Sequence, residues 1–155
     1  VTPAIRTLER SGVSYFLKEY PHDARAPAYG LEAAEALGLA PGSVFKTLLA
    51  RLDGDRFVVA IVSVDRQLDL KALARAAGAR KVAMADPADA ERVTGYVVGG
   101  ISPLGQKRRL PTFLDERAQR LALVHISGGR RGLEIGLSHD DLVRLTQAKV
   151  ADISR

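Results

Sequence analysis

The sequence predicts an α+β fold, a curved, mixed and mostly antiparallel β-sheet of barrel-like shape with helices packed around it. Three observations carry this expectation. Apolar runs of strand length outnumber the amphipathic segments. They come as hairpins across turn signals such as Asp53-Gly54, without the regular alternation of a βαβ chain. The 155 residues, 46% hydrophobic and 26% charged, suffice for a real core without staples, which fits a single domain spanning residues 1–155.

The elements follow from local signals. Thr2-Pro3 reads as an N-cap and first helical position, Ile5 and Leu8 share one face, and Gly12 ends the helix. Val13 to Tyr20 is strand-like, and PHDARAPAYG after it reads as a polar loop. Leu31 to Leu37 is a short helix closed by Gly38, and Val44–Leu52 and Phe57–Val64 are apolar strands on either side of Asp53-Gly54. Asp69 caps a helix with Leu70, Leu73 and Ala77 on its inner side and Gly78 at its end. Lys81 to Met84 is a short strand, and Asp86-Pro87 starts a helix running to about Thr94. Further strands fall near Thr112–Leu114, Leu123–Ile126 and Leu133–Leu137, and Ser138 with Asp141 forms a capping box for a last helix.

Composition removes several function classes. The chain has no cysteine, which excludes disulfides, thiol nucleophiles and thiolate metal sites. No apolar run reaches transmembrane length and no signal-peptide pattern is present, so a cytoplasmic protein without membrane contact is expected. The net charge of +5 suits a polyanionic partner. Four Tyr, four Phe and no Trp leave few stacking platforms, so any nucleic-acid contact should lean on phosphates. No G-x-S-x-G elbow occurs, and His22, His125 and His139 lack the spacing of a zinc motif. GISPLGQK, from Gly100 to Lys107, resembles a P-loop only loosely. Its lysine falls one place late and no Ser or Thr follows, which rejects a nucleotide triphosphatase.

What remains is a glycine-rich stretch, Gly95 to Arg109 (GYVVGGISPLGQKRR), ending in the basic triplet Lys107, Arg108 and Arg109. Glycines let backbone N–H groups turn outward and form a concavity for anions, or for a carbonyl oxygen gaining negative charge. A surface turn with solvated charges would read the same way. Lys46 interrupts an apolar strand, flanked on its face by Val44 and Leu48, while Phe45, Thr47 and Leu49 take the other face. Such an ammonium either meets an anionic partner or snorkels to water at a strand edge. Tyr20 at a strand end, Tyr29 before Gly30, and Ser127-Gly128-Gly129 with Arg130 and Arg131 form a second set. Glu134 on the following strand would by default face solvent.

Together these segments resemble the YbaK/EbsC family of free-standing aminoacyl-tRNA deacylases, and are similar to the editing insertion domain of bacterial prolyl-tRNA synthetases. The match is carried by TPAIRTLE at the start, VFKTLL around Lys46, QLDLK at Gln67–Lys71 and MADP at Met84–Pro87. TGYVVGGISPLGQKRRLPTFLD from Thr94, ISGGRRGLEI near Ser127 and the closing ADI complete it. The resemblance implies hydrolysis of the ester joining a mischarged amino acid to the tRNA 3′ end, with Cys-tRNA(Pro) as substrate; the alternatives are a deacylase for another small residue, such as Ala-tRNA(Pro), and a non-catalytic relative that binds tRNA or the synthetase. It implies no metal and no cofactor, and prolyl-tRNA synthetase as the partner that supplies tRNA selectivity. By the same resemblance Lys46 anchors the terminal adenosine, with Thr47 beside it. The GxxxP loop, from Gly99 to Pro103, offers backbone amides to the acyl carbonyl, Gly99 foremost with Gly100 and Ile101, while Ser102 and Pro103 contact the substrate. Tyr20 and Ser127 line the pocket. Tyr29 stands where a Phe commonly guards selectivity, and Glu134 where near relatives carry Asp. Lys107, Arg108, Arg109, Arg130 and Arg131 are candidates for the phosphates of the acceptor stem or CCA end. The substrate's own thiol is expected to attack its ester, the protein supplying position and amides.

Overall fold

The computed structural model describes residues 1–25 and 29–155. Helix α1 (Pro3–Ser11) starts as its sequence dictates: the Thr2 side chain accepts the Ile5 N–H, Pro3 takes the first turn, and Gly12 closes it in the left-handed region at φ 74°. Strand β1 (Phe16–Glu19) follows, then α2 (Tyr29–Leu37) and a 3-10 turn at Pro41–Ser43. Residues 26–28 of the expected polar loop lie outside the described residues. Tyr29-Gly30, expected in that loop, opens α2 instead. Here glycine serves close packing, because a Cβ on Gly30 would meet the Val64 side chain at 2.3 Å.

Strands β2 (Phe45–Leu52) and β3 (Arg56–Ser63) form the expected hairpin, pairing antiparallel from Phe45 opposite Ser63 to Leu52 opposite Arg56. Helix α3 (Leu70–Ala77) is capped by Asp69, whose carboxylate accepts the Ala72 N–H at 3.0 Å. Strand β4 (Val82–Met84) and helix α4 (Pro87–Thr94) come next. Asp86 sits at the N-cap without a side-chain bond, so Pro87 alone sets that start. The remainder is β5 (Thr112–Asp115), a 3-10 turn at Glu116–Arg120, β6 (Val124–Ser127), β7 (Leu133–Leu137), α5 (His139–Thr146) and β8 (Lys149–Ala151). Ser138 accepts the Asp141 N–H, as its capping signal requires.

The α+β class and the mixed, mostly antiparallel pairing hold. The barrel-like arrangement is made of two sheets and is not a closed barrel: the strand orders are β1-β7-β6 and β4-β2-β3-β5-β8, with parallel pairs at β3–β5 and β5–β8. The sheets meet at a single parallel bridge between Val44 and His125. Between them lies the main core, where Phe45, Leu49 and Ile61 of one sheet face Ile126, Ile135 and Leu137 of the other, under Leu8, Tyr96 and Leu142. The opposite face of the larger sheet, with Ala50, Val58, Ala60 and Val62, packs on Leu73 of α3 and on Ile153. Each fully buried aliphatic side chain contributes roughly 1.5–3 kcal/mol of transfer free energy.

One detail of register positions everything below. Strand β4 pairs with β2 only from Ala50 to Leu52, and the chain continues the contact one step through the Ala85 N–H to the Leu49 carbonyl. At the other end, Val44 is bridged to β6. Between these points, along Lys46 and Thr47, that edge of β2 has no strand beside it among the described residues.

Candidate active site

The unpaired stretch of β2 forms the floor of a cavity of about 470 Å³. Its walls are Tyr20 after β1, Tyr29, Gly30 and Leu31 of α2, Met84, Ala85 and Pro87 between β4 and α4, Val98, Gly99 and Ile101 of the glycine loop, Ser127 of β6, and Glu134 of β7. The volume is that of a typical small-ligand site. Because the strand edge is open there, side chains from both faces of β2 line it, Lys46 from one and Thr47 from the other. Tyr20, Tyr29, Lys46, Thr47, Gly99, Ile101, Ser127 and Glu134, scattered over more than a hundred residues of sequence, thus surround one space.

The glycine loop is held in a defined shape. The Val98 N–H donates to the Glu91 carboxylate at 2.8 Å, and the Gly100 N–H donates to the Val97 carbonyl at 2.8 Å, closing a turn with Gly99 at φ 97°. That bond corrects the expectation for Gly100, whose amide is spent inside the loop and is not free for a ligand. The N–H groups of Gly99 and Ile101 have no acceptor among the described residues. Gly100 is buried and packs its Cα against Arg130, where a Cβ would lie 2.6 Å from the Arg130 Cα. Ser102 and Pro103, expected to touch substrate, are instead buried away from the cavity wall, with the Ser102 hydroxyl accepting the Leu104 N–H at 3.3 Å. Tyr96, buried in the core, donates its hydroxyl to the Leu104 carbonyl and so anchors the far side of the loop.

The polar groups of the cavity are unusual. Glu134 is only 5% exposed, contrary to the solvent-facing position expected of it, because the outward face of β7 forms part of the cavity wall. Its Oε2 and the Thr47 Oγ1 are both buried without a hydrogen-bond partner among the described residues. Burial pushes the Glu134 carboxyl up to about 8, so it is mostly protonated at neutral pH. Burial pushes the Lys46 ammonium down, and Asp65 partly offsets this by favouring the charged form. Burial also raises the Tyr20 phenol, while its backbone hydrogen bond to Gly132 acts the other way. The Ser127 hydroxyl accepts the Gly129 N–H at 3.1 Å and shapes the neighbouring turn. Among the described residues, no group of three or more His, Cys, Asp or Glu is placed to hold a metal ion, and no helix is long and apolar enough to cross a membrane.

The five basic residues divide. Lys107, Arg108 and Arg109 are exposed beyond α4. Arg130 is exposed, with loose contacts to Glu19 at 3.8 Å and to the Arg131 carbonyl at 3.4 Å. Arg131 is not a rim charge. Its side chain, 17% exposed, pairs with Glu32 at 3.0 Å and lies 4.2 Å over the Tyr29 ring. Sequence reasoning missed this partnership. The only trace was Tyr29 and Glu32 at i,i+3, hidden because Tyr29-Gly30 read as a turn. The apolar wall of Leu31, Val98 and Ala85 was likewise unforeseen.

The structure thus joins a lysine and a glycine turn in one cavity, and the comparisons give the family. Residues 26–145 match the family of the aminoacyl-tRNA editing domain. The chain is 39% identical over 154 residues, 99% of its length and 93% of the relative's, to EbsC of Enterococcus faecalis, named as a candidate Cys-tRNA(Pro)/Cys-tRNA(Cys) deacylase. It is 28% identical over 126 residues to the multifunctional Ser/Thr-tRNA deacylase ProXp-y of Escherichia coli K12, covering 79% of this chain and 75% of that one. A crystal structure described as a candidate trans-editing enzyme for prolyl-tRNA synthetase superposes with a TM-score of 0.86 at 29% identity, over 100% and 99% of the two chains. The chain belongs to the aminoacyl-tRNA editing domain family.

Proposed function

We propose that this protein hydrolyses the ester bond of a mischarged aminoacyl-tRNA, with Cys-tRNA(Pro) as its substrate and prolyl-tRNA synthetase as the partner that delivers selectivity for the tRNA. The observation that supports this most is the meeting of Lys46 and Gly99 on one cavity. In this reading the ammonium holds the sugar–phosphate end of the terminal adenosine, while the free amides of Gly99 and Ile101 take the acyl oxygen as it becomes an oxyanion. Lys107, Arg108, Arg109 and Arg130 supply sequence-independent phosphate contacts.

Among the described residues, no histidine lines the cavity, and the one carboxyl in its wall, Glu134, is held protonated and so is a poor proton acceptor for the Ser127 hydroxyl paired with it in register. That favours attack by the substrate. The cysteine thiol gives up its proton as the sulfur bonds to its own carbonyl carbon, the carbon–oxygen bond to the ribose breaks, and the ribose oxygen takes up that proton; water then opens the cyclic thioester to release free cysteine. Positioning and oxyanion stabilisation are then the protein's contribution, and each amide donor accounts for about 3–4 kcal/mol of barrier.

A second reading, hydrolysis of Ser- or Thr-tRNA, is favoured by one observation. Thr47 Oγ1 and Glu134 Oε2, buried in the cavity wall without a hydrogen-bond partner among the described residues, offer polar partners that a side-chain hydroxyl would use. Release of labelled amino acid from Cys-, Ser-, Ala- and Pro-tRNA(Pro) separates the readings. The expected order is Cys far above Ser, with Pro spared and Lys46→Ala inactive though folded. Equal rates on Cys and Ser would replace substrate attack by an activated water, and near-wild-type activity of Lys46→Ala would remove Lys46 from the site.

A further inference from the structure

We infer that Arg131 is a positioning residue, a latch that fixes the first turn of α2 to the glycine loop and thereby sets which amino-acid side chains the cavity admits. The last clause rests on the deacylase reading above; the latch itself does not. The Arg131 Nη2 donates to Glu32 Oε1 at 3.0 Å and to the Asp23 carbonyl at 2.8 Å, while Glu32 Oε2 accepts the Asp23 N–H at 2.6 Å. The same guanidinium covers the Tyr29 ring. On the other side, a Cβ on Gly99 would stand 3.1 Å from both the Arg131 Cδ and the Tyr29 Cδ2, so the loop lies flush against the pair. One side chain therefore joins the chain before α2, the helix itself and the turn at Gly99.

The arrangement matters because Tyr29 has little else to hold it. The residue is 39% exposed on the cavity wall and belongs to none of the apolar clusters that would fix a rotamer by packing. A planar cation stacked on one face and pinned to Glu32 does what packing does elsewhere. It also leaves the guanidinium poorly placed for RNA, since Nη2 is engaged twice and Nε is buried. Its neighbour Arg130, 54% exposed, keeps that role. Freed from Arg131, the Tyr29 ring can swing from the mouth, enlarging the space beside Gly99.

The test uses Arg131→Met, Arg131→Lys and Glu32→Gln in the full chain. Amide hydrogen exchange at Asp23, Ala33 and Gly100 is expected to accelerate at least tenfold in Arg131→Met and Glu32→Gln; wild-type exchange at all three overturns the latch whatever the activity. In deacylation assays, Arg131→Met is expected to raise kcat/KM for a bulky ester, Leu-tRNA, relative to Cys-tRNA at least tenfold. Arg131→Lys, which keeps the charge without the planar stack, should fail to restore discrimination. The salt slope of tRNA binding should match wild type. A slope reduced by about one with selectivity intact would return Arg131 to a phosphate contact and refute the proposal. A wild-type protein that hydrolyses none of these esters would sink the deacylase reading, while the exchange data would still decide the latch.

Discussion

Replacing Glu134 by glutamine should remove a pH dependence of stability that the wild-type chain carries between about pH 4.5 and 8. The carboxyl is buried in the cavity wall with one oxygen unpartnered, and burial lifts its pKa from the ordinary 4.5 to about 8. Between those values the folded protein keeps a proton that the unfolded chain has released. The folded state binds more protons there, so stability falls as pH rises through the window. The contribution is fully present below the unfolded value and lost above the folded one. The interval corresponds to about 5 kcal/mol as an upper bound, and to roughly 2–3 kcal/mol where the open cavity lets water follow the charge. Glutamine keeps the shape and is neutral throughout. Urea denaturation of both proteins from pH 4 to pH 9 checks this. With a slope of about 1–3 kcal/mol per molar, the midpoints should coincide in shape near pH 4 and separate by about 1–3 M at pH 8.5, the variant being the more stable. Curves that run parallel across the range would mean that Glu134 ionises as a solvated carboxylate, and the claim that it cannot act as a base at neutral pH would fall with them.

Two further substitutions probe the frame of the site. In Gly100→Ala the new methyl meets the Arg130 backbone at 2.6 Å, and neither partner is a flexible side-chain end. The two glycine loops must part, at a cost of about 1–3 kcal/mol in thermal or urea denaturation, with deacylation falling at least tenfold even where the protein stays folded; unchanged activity would show that loop spacing is irrelevant to the reaction. Tyr96→Phe leaves the buried Leu104 carbonyl without its donor, for a loss of about 1–3 kcal/mol by the same measurement, and wild-type stability would mean the hydroxyl anchors nothing.

How far the sequence could be read depends on the range of the interaction. Thr2, Asp69 and Ser138 bond to amides three residues away, so their helix starts were legible from a few letters. The β2–β3 hairpin was legible because Asp53-Gly54 is a local turn. By contrast, β8 is three residues laid parallel to β5, paired through Phe113 opposite Lys149, and nothing in KVA announces a partner 36 residues upstream. The start of α2 was misread because Gly30 looks like a turn glycine, whereas the approach of Val64 explains it. Glu134 shows the limit most clearly. In LEIGL the alternation correctly turned Leu133, Ile135 and Leu137 inward, but the outward face is covered by parts of the chain that alternation cannot see.

The site itself depends on a feature no motif states, the missing strand beside Lys46 and Thr47. An unpaired edge is ordinarily a hazard, since its bare backbone groups invite another strand. Here α2 and the glycine loop enclose it, turning a defect in pairing into a chamber with polar groups on its floor. The chamber keeps its shape through contacts only glycine allows: Gly100 against Arg130, Gly105 against the Pro3 backbone, and Gly129 against Thr2. Thr2 adds a hydroxyl bond to the Gly128 carbonyl. The course of the loop that carries Gly99 and Ile101 is therefore set by main chain packed on main chain at Gly100 and Gly105, and by the Thr2 side chain at Gly129. On the proposed reading the chemistry lies in backbone amides, which cannot be re-aimed by changing a rotamer, so the frame must be stiff at a distance, and Thr2, remote in sequence from the glycine loop, belongs to that frame.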